Sequence, residues 1–382
     1  MISIGINLSS NRISIAELSK SRKGIQIRKM IRDDLPGNPI SRGEIINPLE
    51  VANGLKKIWK KYRLSGRKVY LGIANQKTIV KEINIPLVDD NEISSSIKYQ
   101  ISEYIPIPKD DIIYDYFIIE KSKSSSRLLL VGAMKSMVNS FIESIKLSGL
   151  IVQAVDLNAF ALFRTLEYIN KNKNKKIKNR EGDIFLAINL GDEVTNVEIL
   201  ADDKMKYPRV TTVSLNSFIE RLNPIIERDT IFCRELIDSY DFKSNLGTSS
   251  KKEGDASSKK KTGKEPIKDP TEKGIKDLIK DDRIISMFEA IAQDLINEIN
   301  ISIEHYNQES SGSKVKKIIL SGNIIKNIDK YIEDKTGLKV DLLDLKSFKY
   351  EATQQKTGGQ DKKENAGILD PIAIGMSLRG LN

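Results

Sequence analysis

The stretch "GINLSSNRISIAEL", residues 5–18, sets a short polar turn between two apolar runs, and the same design returns at residues 187–200 as "AINLGDEVTNVEIL". Alternation of apolar and polar positions buries one face of a strand, so two such runs around a polar turn predict a β-hairpin. Each hairpin opens one half of the chain. At 382 residues the chain exceeds what one hydrophobic core usually organises, and two α/β lobes are expected.

The composition supports a globular chain. Hydrophobic residues make up 39%, charged residues 30% and aromatics only 6%, which leaves aliphatic side chains to fill the interior and excludes collagenous or disulfide-rich classes. The single cysteine, Cys233, has no partner within the chain and reads as a small core hydrophobe in a reducing compartment. "MISIGINLSS" lacks the basic and apolar regions of a secretory signal, and no apolar run approaches the roughly eighteen residues of a membrane span. A cytoplasmic protein is expected.

The net charge is +10, from 62 Lys and Arg against 52 Asp and Glu. The excess is spread over "KKIWKKYR" (56–63), "KNKNKKIKNR" (171–180) and "SSKKKTGKEPIK" (257–268), with few interleaved aromatics and no standard nucleic-acid motif. These stretches read as solvated faces and loops, with attraction to an anionic membrane surface as the functional alternative. No nucleic-acid partner is expected.

Along the first half, Asn47 before Pro48 marks a helix start, and Leu49, Ala52, Leu55, Trp59 and Tyr62 form its apolar stripe. Residues 68–74 and 78–86 read as strands. Ile93, Ile97, Ile101 and Ile105 recur every four residues on one helix face before Pro106 and Pro108 stop it. Strands at 112–119 and 127–134 follow, then helices at 137–147 and 157–169. The second half adds one helix near 217–240, with Pro224 at its first turn or a kink, and a long helix over 284–306. His305, the only histidine, follows that helix's apolar stripe; with no second histidine it reads as a surface or helix-end residue rather than a metal ligand. A strand-helix-strand run spans 314–343 with Gly322 at its first turn. Asp370, Pro371 and Gly380 read as N-cap, first residue and stop of a closing helix.

Two halves led by polar-turned hairpins resemble the actin, Hsp70 and sugar-kinase fold, in which such turns meet nucleotide phosphates. More specifically, the chain is similar to the PilM family, actin-like proteins of the type IV pilus inner-membrane assembly complex. The likeness rests on "GINLSSNRISIAEL", "GEIINPLEVANGLKKI", "SEYIPIPKDDIIYDYFII", "VQAVDLNAFALFRTLE", "AINLGDEVTNVEIL", "KIILSGN" and "PIAIGMSLRG", in that order. It implies an α/β, two-lobed actin-like ATPase fold with an FtsA-like inserted subdomain. The first lobe would span 1–170, with the insert at about 79–147, and the second lobe 183–382. Composition, not the resemblance, marks two further segments: 171–182 is polar, basic and nearly free of apolar residues and reads as a linker, and the Lys-, Ser- and Gly-rich stretch at about 243–281, which the resemblance does not cover, reads as disordered and low-complexity.

The resemblance further implies ATP with magnesium between the lobes. It also implies a groove beside the inserted subdomain that holds the cytoplasmic N-terminal tail of a PilN-like bitopic membrane protein, recruiting the chain to the inner face of the membrane. Ile83, Tyr99, Tyr104 and Tyr116 are the groove candidates, and platform or motor proteins are further partners; the oligomeric state stays open.

The nucleotide site departs from the family pattern. The first turn reads Asn7, Leu8, Ser9, Ser10, Asn11, Arg12 and Ser14, where the family has an initial aspartate and a closing lysine. In the second turn Asn189 replaces aspartate, Gly191 and Thr195 remain, and Asp192 and Glu193 stand in places normally small and neutral. The third turn, Ser321, Gly322, Asn323, Ile324, carries one glycine. A carboxylate orients magnesium-bound water, whereas a carboxamide attracts the ion far less, so loss of both argues against hydrolysis. Asn7, Ser9, Ser10, Asn11, Asn189, Gly191, Thr195, Gly322 and Asn323 are the phosphate and base contacts to weigh against ordinary hairpin-turn roles. A scaffold with an eroded site, a pseudo-ATPase with no catalytic residue and no metal ligand set, is the reading. The alternatives are an active ATPase or small-molecule kinase, and an FtsA-like filament former.

Overall fold

Strand β1 (Ile2–Ser9) pairs antiparallel with β2 (Arg12–Ser21), Ser9 opposite Arg12, so the first expected hairpin forms. The computed structural model describes residues 1–10, 12–22, 24–64, 66–172, 184–201, 204–242, 274–309, 314–350 and 369–381. The chain divides into two units, Met1–Ile169 with Phe348–Asn382, and Asn170–Ser347.

In the first unit, β3 (Gly24–Asp34) continues the antiparallel meander, and a short ribbon of β4 (Ile40–Ser41) and β5 (Glu44–Ile45) leads into α1 (Pro48–Lys61). Helix α1 starts where the sequence predicts: the Asn47 side chain accepts from Glu50 N at 3.3 Å, and Pro48, which has no N–H to lose, is the first helical residue. Strand β6 (Lys68–Ile73) then pairs parallel with β1.

The insert follows. Strands β7 (Ile79–Pro86), β8 (Ile112–Lys121) and β9 (Ser125–Met134) form a three-stranded antiparallel sheet of order β7-β9-β8, with α2 (Asp90–Tyr104) between β7 and β8. Ile93, Ile97, Ile101 and Ile105 are all fully buried and share one small core with Ile83, Ile85, Ile112, Leu128 and Leu130. The four-residue isoleucine repeat therefore does what its spacing predicts. Helix α3 (Lys135–Leu147) returns to the main body, where Met137, Val138, Phe141 and Ile145 join the core beneath α1, and β10 (Ile151–Leu157) pairs parallel with β6. Helix α4 (Asn158–Asn172) closes this run.

The second unit repeats the plan. Strands β11 (Ile184–Leu190), β12 (Thr195–Ala201) and β13 (Lys204–Thr211) form an antiparallel meander. The single helix expected near 217–240 is instead two, α5 (Leu215–Ile226) and α6 (Thr230–Ser239). Pro224 lies inside α5 without ending it. The break comes at Glu227, in the left-handed region at φ +49°, and at Asp229, whose carboxylate accepts from Phe232 N at 2.8 Å and starts α6 afresh. Helices α7 (Ile275–Leu278) and α8 (Asp282–Glu309) follow, then β14 (Lys317–Gly322), α9 (Ile328–Thr336) and β15 (Lys339–Leu342). Phe218, Tyr240, Phe242 and Phe288 pack together in this unit's core, and Cys233 is buried among them as a small hydrophobe. His305 sits in the last turns of α8.

The chain then returns to the first unit through β16 (Lys349–Tyr350), parallel to β3, and α10 (Pro371–Arg379). The expected boundary of the second lobe at residue 382 is thereby corrected: α10 is fixed to first-unit strands and helices. Ser377 Oγ donates to Ser3 O at 2.8 Å, Thr165 Oγ1 to Pro371 O at 2.7 Å and Lys20 Nζ to Leu381 O at 2.7 Å. Beyond β16 at its edge, the first sheet reads β3-β2-β1-β6-β10, and the second reads β13-β12-β11-β14-β15, each with two antiparallel pairings followed by two parallel ones. One five-strand order, used twice, is the actin-like architecture, and it is why the chain carries two such hairpins.

The linker expected at 171–182 begins two residues early, since Lys171 and Asn172 are the last residues of α4; the rest of it and most of the stretch expected to be disordered lie outside the described residues. The end of that stretch is a correction. Residues 275–278 are helical, because Leu278 buries completely in the second unit's core.

Candidate functional site

At the first turn, Asn7 is the penultimate inward position of β1 and stands beside Gly72 of β6. Its Nδ2 donates to Asp370 Oδ2 at 3.0 Å, and its Oδ1 accepts from Asn158 Nδ2 at 3.3 Å. Asp370 is the N-cap of α10, its other oxygen accepting from Ile372 N at 2.8 Å and Ala373 N at 3.1 Å. The carboxamide is therefore a bridge between β1, α4 and α10. Ser9 Oγ donates to Arg12 O at 3.3 Å across the hairpin, Ser10 is buried, and Asn11 lies outside the described residues.

At the second turn, Asn189 is buried and accepts from Ser321 Oγ at 3.1 Å; that hydroxyl also lies 3.0 Å from Ile188 O. The structure thus joins the second and third turns directly. Gly191 has no room for a side chain, since a Cβ would strike the Val194 carbonyl. Asp192 is only 4% exposed, and its Oδ1 accepts from Asn323 Nδ2 at 3.3 Å and from Arg234 Nη2 at 3.4 Å. Glu193 accepts from Asn216 Nδ2 at 2.7 Å. These two acidic residues, standing in places the family pattern keeps small and neutral, are tied to one guanidinium and two carboxamides of their own unit. Thr195 is fully buried, and its hydroxyl donates to Val213 O at 2.6 Å. Gly322, at φ +94°, passes so close to Leu190 that only glycine fits, and Asn323 N donates to Leu190 O at 2.8 Å.

Among the described residues no group of three or more His, Cys, Asp or Glu is arranged to hold a metal ion. The one strongly perturbed carboxyl nearby is Glu198 on β12, fully buried with both oxygens unpartnered; burial pushes its pKa well above the ordinary carboxylate value of 4.5. The side chains of Asn7 and Asn189 are each engaged in hydrogen bonds within their own unit.

The insert offers a different surface. Ile83 is corrected here: it is 4% exposed and lies in the core under α2, where no partner reaches it. Tyr104 and Tyr116 are half-buried against the same core, Tyr104 donating to Gln100 Oε1 at 2.9 Å, while Tyr99 projects from α2 with 86% exposure. On the opposite face of the sheet, Phe117 is 69% exposed, paired across to Leu129, which in turn faces Glu82. Val80 and Val131 on that same face pack against the main core of the unit, so Phe117 and Leu129 mark where the sheet leaves the body. Arg127 on this face bridges Glu120 at 2.8 Å and Glu82 at 3.5 Å. Strand β8 is an edge strand.

A family model described as "Type IV pilus assembly protein PilM" matches residues 5–218. The chain belongs to the PilM family. Among solved structures, it is similar to one described as "PilM-PilN type IV pilus biogenesis complex", with a TM-score of 0.77 and 16% identity over 100% of this chain and 98% of that one. Weaker likenesses are to the ethanolamine utilization protein EutJ from Carboxydothermus hydrogenoformans and to MreB5 of Spiroplasma citri bound to ADP. The first has a TM-score of 0.49 and 6% identity over 90% of this chain and 84% of that one. The second has a TM-score of 0.47 and 10% identity over 90% and 92%. The family match covers the first hairpin, the insert and the second hairpin, and so takes in two of the three turns of this PilM-family chain as well as Phe117. In the described residues no helix is long and apolar enough to cross a membrane.

Three positions around the candidate site escaped the sequence: Asp370 as the partner of Asn7, Arg234 as the partner of Asp192, and Phe117 on the outer face of the insert. The first two are long-range pairings without a local signal. Phe117 lay within the quoted "IIYDYFII", where an apolar residue at nearly every position hid which face was outward.

Proposed function

We propose that this PilM-family chain is a scaffold of the type IV pilus or a related secretion platform, and that it holds the cytoplasmic N-terminal tail of a PilN-like membrane protein on the outer face of the insert. Phe117 carries the reading: a large aromatic side chain, mostly exposed, beside an edge strand whose free N–H and C=O groups offer main-chain pairing to an extended peptide. The solved complex to which the chain is similar contains a PilM and a PilN. The chain would then work at the inner face of the membrane, recruited by its partner.

Hydrolysis of ATP forms no part of this function. Asn7 and Asn189 stand where the family carries aspartate, and both amides are engaged within their own units. The test has two arms. A synthetic PilN-type tail in large excess is expected to raise the melting temperature of the full chain, as any ligand selective for the folded state does; an unmoved melting curve refutes the partner. Phosphate release with ATP and magnesium is expected at background, and release well above it refutes the loss of hydrolysis.

A further inference from the structure

Helix α1 and the turn that follows it carry the longest acid-free stretch of the first unit. From Val51 to Lys81 there is no Asp or Glu, while Lys56, Lys57, Lys60, Arg63, Arg67 and Lys68 are exposed. None of these six takes part in an ion pair among the described residues. Within the stretch Lys61 pairs with Asp33 at 2.8 Å and Lys77 with Glu44 at 2.7 Å. The framework holding them is fixed: Lys29 Nζ donates to Tyr62 O and Arg63 O at 2.8 Å each, and Trp59 Nε1 donates to Gly66 O at 2.8 Å, folding the turn back on the helix end. The buried positions of α1, Val51, Ala52, Leu55 and Ile58, leave the lysines pointing outward.

Topology adds an apolar element. Strands β1, β6 and β10 are parallel, and α1 and α3 each run back across the sheet to feed β6 and β10. The C-terminal ends of both helices and the starts of the three strands therefore share one end of the sheet. At that end Ile2 is 49%, Leu147 42% and Ile151 49% exposed, interspersed with Arg67, Lys68 and Lys146.

We infer that this end of the first unit is a binding surface for an anionic phospholipid bilayer, separate from the peptide surface on the insert. Unpaired lysines on flexible stems suit a fluid array of phosphates better than one fixed anion, and aliphatic side chains among them enter the headgroup boundary while the ammonium groups stay wet. An acidic protein would match the charge but would leave the exposed Ile2, Leu147 and Ile151 unused. A chain held at the membrane by a partner's tail would gain a second contact there, and two weak contacts on one body reinforce each other.

The experiment uses the full chain and vesicles of phosphatidylcholine with phosphatidylglycerol, against pure phosphatidylcholine, at low and at physiological salt. Trp59, the only tryptophan, reports binding by its fluorescence, and flotation confirms it. Each basic side chain near an anionic surface is worth roughly fivefold in partitioning, so Lys57→Gln/Lys60→Gln/Arg63→Gln is expected to weaken binding about 100-fold at an unchanged melting temperature. The equal-charge control Lys98→Gln/Lys109→Gln/Lys123→Gln, on exposed lysines of the insert, is expected to lie within about twofold of the natural chain. Equal partitioning onto neutral vesicles, equal losses from both triple variants, or capture of polyglutamate with no vesicle binding would each overturn the assignment.

Discussion

Asn7 and Asp370, separated by 363 positions in the chain, are joined by a hydrogen bond of 3.0 Å that ties the first hairpin to the closing helix. The amide donates and the carboxylate accepts, and the same carboxylate caps α10 with its other oxygen. Asparagine at position 7 is therefore matched to its surroundings. An aspartate there would face a second carboxylate, with no donor between them.

The first prediction follows from that pairing. Asn7→Asp is expected to lower stability at neutral pH by on the order of 1–3 kcal/mol, because it removes a hydrogen bond and adds like-charge repulsion. The exchange Asn7→Asp/Asp370→Asn restores one donor and one acceptor and should recover most of the loss, with part of the N-cap forfeited. Thermal denaturation of the two single variants and the double variant measures the coupling directly. Additive effects would show that the two residues do not interact.

A second pair is more deeply set. Asp192 is 4% exposed and its charge is met by Arg234, whose side chain is 17% exposed. Arg234→Gln leaves the buried carboxylate without its cation and is expected to cost roughly 3 kcal/mol, whereas Asp192→Asn/Arg234→Gln, with neither charge, should cost much less. Denaturant unfolding checks this, and a double variant as unstable as the single one would refute it.

Local signals in the sequence were legible because their causes are local. The helix starts at Asn47–Pro48 and Asp370–Pro371 need only a cap and a ring with a preset φ, and the isoleucine repeat of α2 needs only a helical period. The two hairpins are readable for the same reason, and with them the duplicated fold. What could not be read is where an element docks. Nothing within "PIAIGMSLRG" says that it packs on strands from the start of the chain; in β7 the alternation of Ile83 and Ile85 with Glu82 and Asn84 does mark the covered face, whereas in β8 apolar residues on both faces hide that Phe117 is outward. The break between α5 and α6 had a signal in Asp229, a good N-cap, but Pro224 drew the boundary away from it.

Phe117 gives the third prediction. Because the side chain is 69% exposed, Phe117→Ser is expected to leave the melting temperature of the free chain unchanged within experimental error. If it anchors a bound tail, the substitution should weaken the peptide by about 2 kcal/mol, roughly 30-fold. Ile83→Ser, in the core of the insert, should do the reverse and destabilise the fold. Isothermal titration of a tail peptide alongside melting curves separates the two, and full affinity in Phe117→Ser would move the partner surface elsewhere.

The last prediction concerns Glu198, which lies between Ala187 and Pro208 in the second sheet with neither carboxyl oxygen hydrogen-bonded. Burial raises its pKa well above 4.5, so the folded chain keeps this carboxyl protonated at a pH where the unfolded chain has lost the proton. The folded state then binds more protons than the unfolded one, and the sign follows. The contribution of this group is complete below the unfolded pKa and declines as pH rises toward the folded pKa, by up to about 1.4 kcal/mol per pH unit. Glu198→Gln cannot ionise and should lose that slope as pH rises above the ordinary carboxylate value of 4.5, becoming relatively more stable than the natural chain as pH increases. Urea denaturation of both proteins across this range is the measurement. Parallel pH profiles would show that Glu198 is ionised in the folded protein and meets a cation, since an isolated buried carboxylate could not persist there without one.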